Sequence, residues 1–138
     1  MRFEGRVWRH GKHWLIEVPI LDVMTQGRTR KEALAMIKDA IEALVNREAF
    51  EVDVYVGKGD RFEVGSRATP PLLALLVKRQ RQMHGLSLAD AARRLGRTSR
   101  NTFARYEQGK TVPTVEKLAE LLAAVDPEHD LVLTRSRG

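Results

Sequence analysis

The feature that most constrains this chain is a change in the period of its apolar residues, located at one short stretch. Before residue 65, runs with a period of two alternate with one run of period about 3.6; beyond residue 71 the helical period holds until the last few residues. A period of two builds strands with one buried face, and a period near 3.6 builds helices with one buried stripe. The chain therefore reads as two halves that fold differently. Its 138 residues suffice for one ordinary domain or two very small ones.

In the first half, residues 3–9 and 13–18 are β-rich runs around His10-Gly11-Lys12, where a glycine supplies the positive φ of a tight hairpin. Trp8 and Trp14 are expected to pack across that hairpin. Pro19 ends the second run, and Val23-Met24-Thr25-Gln26 offers a third strand before Gly27. Thr29-Arg30-Lys31-Glu32 has the form of a capping box, in which a threonine hydroxyl and a glutamate three residues later satisfy helix-start amides. Leu34, Ile37, Ile41 and Leu44, with Ala40 and Val45 beside them, predict one helix over about residues 30–46. Val52, Val54 and Val56 then alternate with Glu51, Asp53 and Tyr55, so the valine face is expected to pack. Lys58-Gly59-Asp60 turns the chain into Arg61-Phe62-Glu63-Val64, a further strand at the sheet edge. So small an antiparallel sheet needs its apolar face covered, and the amphipathic helix is the available cover. The fold expected for residues 1–64 is a two-layer α+β domain.

Residues 65–71, ending in Thr69-Pro70-Pro71, break both periods and read as a linker. Residues 72–138 read as an all-α domain with a terminal strand. Leu72, Leu73, Leu76, Gln80 and Met83 form the first helical stripe, which Gly85 stops. Ser87 and Asp90 cap a second helix of about two turns, running through Ala91, Ala92 and Leu95 to Gly96. Thr98-Ser99 opens a third, buried through Phe103 and Tyr106 and closed by Gly109. Thr114 caps a fourth, with Val115, Leu118, Ala119, Leu122 and Val125 at core spacing. Leu131-Val132-Leu133-Thr134 is the terminal strand, expected to pair with its copy in a homodimer or higher homo-oligomer, in preference to adding to the first domain's sheet.

Charge follows the same division. Residues 1–64 carry 11 Lys/Arg and 11 Asp/Glu, whereas residues 65–138 carry 13 and 7, so the whole excess of +6 lies in the second half. Between Lys78 and Lys110 nine basic residues (Lys78, Arg79, Arg81, Arg93, Arg94, Arg97, Arg100, Arg105 and Lys110) stand against Asp90 and Glu107. A compact segment of that charge implies a polyanionic partner. Short helices with a glycine turn between the second and third, and basic residues clustered there, describe a helix-turn-helix. Arg100, Asn101, Ala104, Arg105 and Gln108 lie away from the Phe103/Tyr106 face of the third helix. Arginine can bridge guanine O6/N7 and asparagine adenine N6/N7 in the major groove. The hydroxyls of Ser87, Thr98 and Ser99, with Arg97 and Lys110, suit phosphates.

The quoted residues resemble a known family. Gly85-Leu86-Ser87, Leu95-Gly96, Ser99-Arg100, Arg105-Tyr106-Glu107-Gln108-Gly109-Lys110 and Val112-Pro113-Thr114 are similar to phage-repressor-type (XRE) helix-turn-helix domains over about residues 71–126. The run from Val18-Pro19 through Thr25-Gln26-Gly27 to Thr29, followed by Glu32-Ala33-Leu34 and Asp39-Ala40-Ile41, resembles HicB-type antitoxins. That resemblance implies an incomplete RNase H-like α+β domain which binds and blocks a HicA-type toxin, a small RNA-cleaving protein. The helix-turn-helix would then bind operator DNA and repress the operon.

Other classes of function find less support in the residues. Glu17, Asp22, Asp39, Asp53 and Asp60 have no diagnostic catalytic spacing, so the chain is read as no enzyme. His10-x-x-His13 lacks further ligands, and no metal or cofactor is expected. With no cysteine, disulfides and thiolate metal sites are excluded. No apolar run approaches the roughly 20 residues of a membrane-spanning helix, so a cytoplasmic protein with no membrane partner is expected. The alternative is a stand-alone helix-turn-helix transcription regulator whose first domain senses a ligand or oligomerises.

Overall fold

The computed structural model describes residues 1–96 and 100–137. Two compact units, Met1–Leu72 and Leu73–Gly138, divide the chain. The first contains β1 (Arg2–His10), β2 (His13–Val18), a 3-10 turn at Pro19–Leu21, β3 (Val23–Gly27), α1 (Arg30–Val45), β4 (Asp53–Val56) and β5 (Arg61–Gly65). The five strands form one antiparallel sheet in the order β3-β2-β1-β5-β4. The α+β class expected for this half is thus observed, with one change: β5 sits inside the sheet against β1, and β4 is the edge.

A two-residue turn with Gly11 at φ +62 pairs His10 with His13, and this sets the register of the hairpin. Trp8 therefore stands opposite Leu15 and Trp14 opposite Arg9, placing the two tryptophans on opposite faces of the sheet. The expected pairing of Trp8 with Trp14 is one residue out of register, and a slip of one residue reverses the face.

Phe3, Val7, Ile16, Val18, Phe62 and Val64 on one sheet face, with Ala33, Ile37 and Ile41 of α1, form the buried core of this unit. Thr29 caps α1 by accepting from the Glu32 amide at 3.0 Å, while Glu32 Oε1 accepts from the Arg28 amide at 3.3 Å. The reciprocal half of the box thus closes one residue earlier than the usual form. The valine alternation of β4 outruns the helix that covers it: Val52 is buried, Val54 half-buried and Val56 exposed.

Gly27 explains why α1 can lie so close to β3. A Cβ there would stand 2.5 Å from the Ala33 amide nitrogen and 2.9 Å from its Cα, which are backbone atoms of the first turn of α1. Gly5 similarly leaves room for the ring of Phe62, with the Glu17 carbonyl oxygen 2.7 Å from where a Cβ would stand.

The stretch 65–71, expected as a linker, is mostly regular structure. Gly65 ends β5, and Thr69 opens α2 (Thr69–Met83), with Pro70 and Pro71 in the first turn, where missing amides cost no helix bond. Next come α3 (Leu88–Arg94), α4 (Asn101–Glu107) and α5 (Val115–Val125). Gly85, Gly96 and Gly109 take positive φ behind α2, α3 and α4. On α5 the core face is Leu118, Leu121 and Val125; Val115 and Ala119, expected inside, are exposed. Met83 is exposed as well.

Residues 131–134, expected as a strand, form none, and Val132 and Leu133 are exposed. A strand is defined by its hydrogen-bonded neighbour, and the described elements of the second unit are all helical.

Replacing Gly27 with Ala forces β3 and α1 apart. We expect a loss of about 1–3 kcal/mol in urea unfolding, the usual cost of overpacking. An unchanged midpoint would show that the close approach is not needed.

Candidate nucleic-acid interface

The second unit is assembled around one ion pair. Arg81, near the end of α2, sends Nε to Glu107 Oε2 at 2.6 Å and Nη2 to Glu107 Oε1 at 2.9 Å. Its Nη1 donates to the Leu86 carbonyl at 2.7 Å, so the same guanidinium also fixes the loop leading to α3. The side chains are 12% and 6% exposed. A fork-to-fork pair of this kind fixes orientation as well as distance. It locks the last residue of α4 onto α2, while Phe103, fully buried, holds the middle of α4 inward. By sequence Arg81 belongs to the basic cluster, and the pairing commits it to holding the fold.

With Phe103 inward, the outward face of α4 follows from helical spacing: Asn101, Arg105 and Gln108 are exposed at i, i+4 and i+7, with Ala104 half-buried among them. Arg100 is exposed at the N-cap of α4, and Lys110 is exposed just beyond its end. Arg100, Asn101, Arg105 and Lys110 thus share the neighbourhood of one helix. Arg97, Thr98 and Ser99 lie outside the described residues. Ser87 serves as the cap of α3: its Oγ accepts from the Asp90 amide at 3.0 Å, and Asp90 Oδ2 accepts from the Ser87 amide at 3.2 Å. Those bonds from Ser87, helped by Arg93, hold the Asp90 carboxyl below the usual carboxylate range. Of the other basic side chains, Lys78, Arg93 and Arg94 are exposed, and Arg94 Nη1 donates to the Ala124 carbonyl at 3.2 Å.

A second polar cluster ties the end of α2 to the end of α5. His84 donates from Nδ1 to the Gln80 carbonyl at 2.8 Å, and its Nε2 lies 3.4 Å from Asp126 Oδ2. His129 Nδ1 lies 2.8 Å from the same oxygen. The bond from His129 lowers the Asp126 carboxyl below its ordinary value, and the bond to Asp126 raises the His129 imidazole. Neither the His84–Asp126 contact nor the Arg81–Glu107 pair is visible in the sequence, because the partners are 26 or more residues apart. Among the described residues no group of three His, Asp or Glu is placed to hold a metal ion, and no helix is long and apolar enough to cross a membrane.

A hydrophobically anchored short helix that presents an amide, a guanidinium and another amide on one face, flanked by cations, can read base edges and hold phosphates. Comparison with known families agrees: residues 72–132 match the helix-turn-helix domain family. This domain implies DNA binding and transcription regulation. No curated protein matches the chain.

Two outcomes follow from the geometry. Glu107→Ala leaves the Arg81 guanidinium shielded without its counter-charge, and should cost about 3–5 kcal/mol in chemical unfolding. A loss under about 1 kcal/mol would mean the pair is dispensable. For the second cluster, NMR titration should place the His129 midpoint above the ordinary value of about 6.5, and Asp126→Asn should return it. Because the folded value is raised, the stability contributed by His129 is complete below the ordinary imidazole value and is lost as pH rises through the raised one. An unmoved midpoint in the variant would exclude Asp126 as the cause.

Proposed function

We propose that this DNA-binding regulator is the antitoxin of a HicAB-type toxin–antitoxin pair, with no catalytic activity of its own. In this reading the first unit binds and blocks a HicA-type, RNA-cleaving toxin, and the second binds operator DNA and represses its own operon. The observation that carries the reading is the Thr25-Gln26-Gly27 element at the junction of β3 and α1, joined in one chain to a helix-turn-helix. Gly27 gives that element a physical reason, since only a glycine lets the first turn of α1 rest on β3. The division of charge suits the division of labour, with the neutral half holding a protein and the basic half a nucleic acid.

On the DNA side, Arg100, Asn101 and Arg105 read bases, and Lys110 with the other exposed cations neutralises phosphates. Arg97, Thr98 and Ser99 belong to the same proposed contact by their place in the sequence. Repressors of this type read two half-sites about 34 Å apart as dimers.

Co-expression with the product of any small reading frame that adjoins this one tests the antitoxin role. A stable complex and rescue of growth are expected, and residues 1–68 alone should rescue while failing to bind DNA. A neighbour that neither binds nor inhibits growth would favour the ligand-sensing regulator instead. For the DNA role, affinity for the promoter should fall about a thousandfold or more between about 50 and 200 mM salt. Arg100→Ala should cost about 1–3 kcal/mol and relax base preference, whereas Lys110→Ala should weaken all sequences alike. Binding that ignores salt would contradict the electrostatic basis.

A further inference from the structure

The first unit is neutral only in sum. Three loops meet at one end of its sheet: the hairpin tip, the junction of β3 with α1, and the turn between β4 and β5. Trp14 pairs with Arg9 on one side and with Gly27 on the other, which brings the first two loops together. Arg30 Nη2 donates to the Gly59 carbonyl at 3.0 Å and ties the third loop to the second. These segments, residues 9–13, 26–32 and 57–61, hold seven Lys/Arg and two Asp/Glu, a net +5. The rest of residues 1–64 holds four and nine, a net −5.

Cations at the two ends are also engaged differently. Away from the tip, Arg2 meets Glu63 at 3.3 Å and Lys38 meets Glu42 at 4.0 Å. Neither carboxylate at the tip faces the tip cations freely: Asp60 Oδ2 accepts from Arg6 Nε at 3.0 Å, and Glu32 Oε1 accepts from the Arg28 amide at 3.3 Å. Arg9 Nε donates to the Gly11 carbonyl at 3.3 Å and braces the hairpin. Lys12, Arg28, Lys31 and Lys58 are exposed, and among the described residues none of their side chains is in an ion pair. Cations gathered on three adjoining loops, with the carboxylates kept elsewhere, make a surface that attracts a polyanion.

We propose that this tip makes a second, sequence-independent contact with DNA, on phosphates that flank the site read by α4. Two observations select DNA among polyanions. The chain carries a DNA-binding domain, and only residues 66–68 separate β5 from α2, so the first unit is brought to the duplex whenever the second is bound. Three of the four unpaired cations are lysines, compact charges that suit phosphates better than base edges. A few such contacts do not hold DNA by themselves, in keeping with the expectation that residues 1–68 alone fail to bind it. Tethered to a bound helix-turn-helix, they act at an effective concentration of about millimolar. The proposal rests on the helix-turn-helix and not on the toxin reading, and it leaves the negative remainder of the unit for a protein.

β1 is nine residues long, about 30 Å, and about nine base pairs span the same length. The test therefore compares the full chain on its promoter site trimmed to the footprint and on the same site with about ten further base pairs on each side. The wild type should bind the extended duplex about tenfold or more tightly, with a slope of log affinity against log salt steeper by about 3–4, or about 0.9 for each phosphate contact. Lys12→Ala/Arg28→Ala/Lys31→Ala/Lys58→Ala should bind both duplexes as the wild type binds the trimmed one, with unchanged circular dichroism. Lys12→Arg/Lys31→Arg/Lys58→Arg, which keeps the charges, and Lys38→Ala, which lies away from the tip, should both retain the gain. A wild type that binds both duplexes equally, or a quadruple variant as salt-dependent as the wild type, would overturn the tip contact alone. So would a quadruple variant that keeps its DNA affinity but loses a protein partner, which would make the tip a protein-docking surface. A wild type that binds neither duplex would overturn the helix-turn-helix reading together with it.

Discussion

The guanidinium of Arg81 is held at three points, twice by Glu107 at the end of α4 and once by the Leu86 carbonyl before α3. A charge so nearly withdrawn from water is tolerated only when its partner and its geometry are both supplied. The end of α2, the loop just after it and the distant α4 are thereby brought to fixed positions, and Phe103 sets the rotation of α4 about its own axis. The outward row of Asn101, Arg105 and Gln108 follows from these two constraints. The outward face of α4 is thus set by residues that are themselves withdrawn from the surface.

The first unit depends on a constraint of another kind. A helix that packs flat on a small sheet must cross strands whose side chains would hold it away. Gly27 removes that obstacle at the strand nearest the helix start, and Gly5 removes another beneath Phe62. The apolar residues then form one layer between sheet and helix, and the sheet is left with a paired, charged edge at β4 and a plain one at β3.

Local periodicity made most of this legible. The hairpin at Gly11, the caps at Thr29, Ser87 and Thr114, the helix stops at Gly85, Gly96 and Gly109, and the α+β to all-α order are each encoded within a few neighbouring residues. Properties fixed by distant partners were harder to read. The place of β5 between β1 and β4 is a matter of pairing, which sequence period does not specify. Apolar spacing misplaces the rotation of α5, because Val115 is apolar but sits in the first turn, outside the packed face. Arg81 and Glu107 look like surface charges until the fold brings them together, so the basic cluster contained one residue with a structural task. The outward face of α4 was legible because it needs only the position of Phe103 and a period of 3.6.

The central claim is that the exposed face of α4 reads DNA. Hydroxyl-radical and guanine-methylation footprints of the full chain on promoter DNA upstream of its own coding sequence test it most directly. The account predicts protection in two major-groove patches about 34 Å apart on one side of the duplex. It also predicts loss of the base-specific protection in an Asn101→Ala/Arg105→Ala double variant that remains folded. A footprint unchanged in that variant, or protection confined to phosphates with no preferred site, would contradict it.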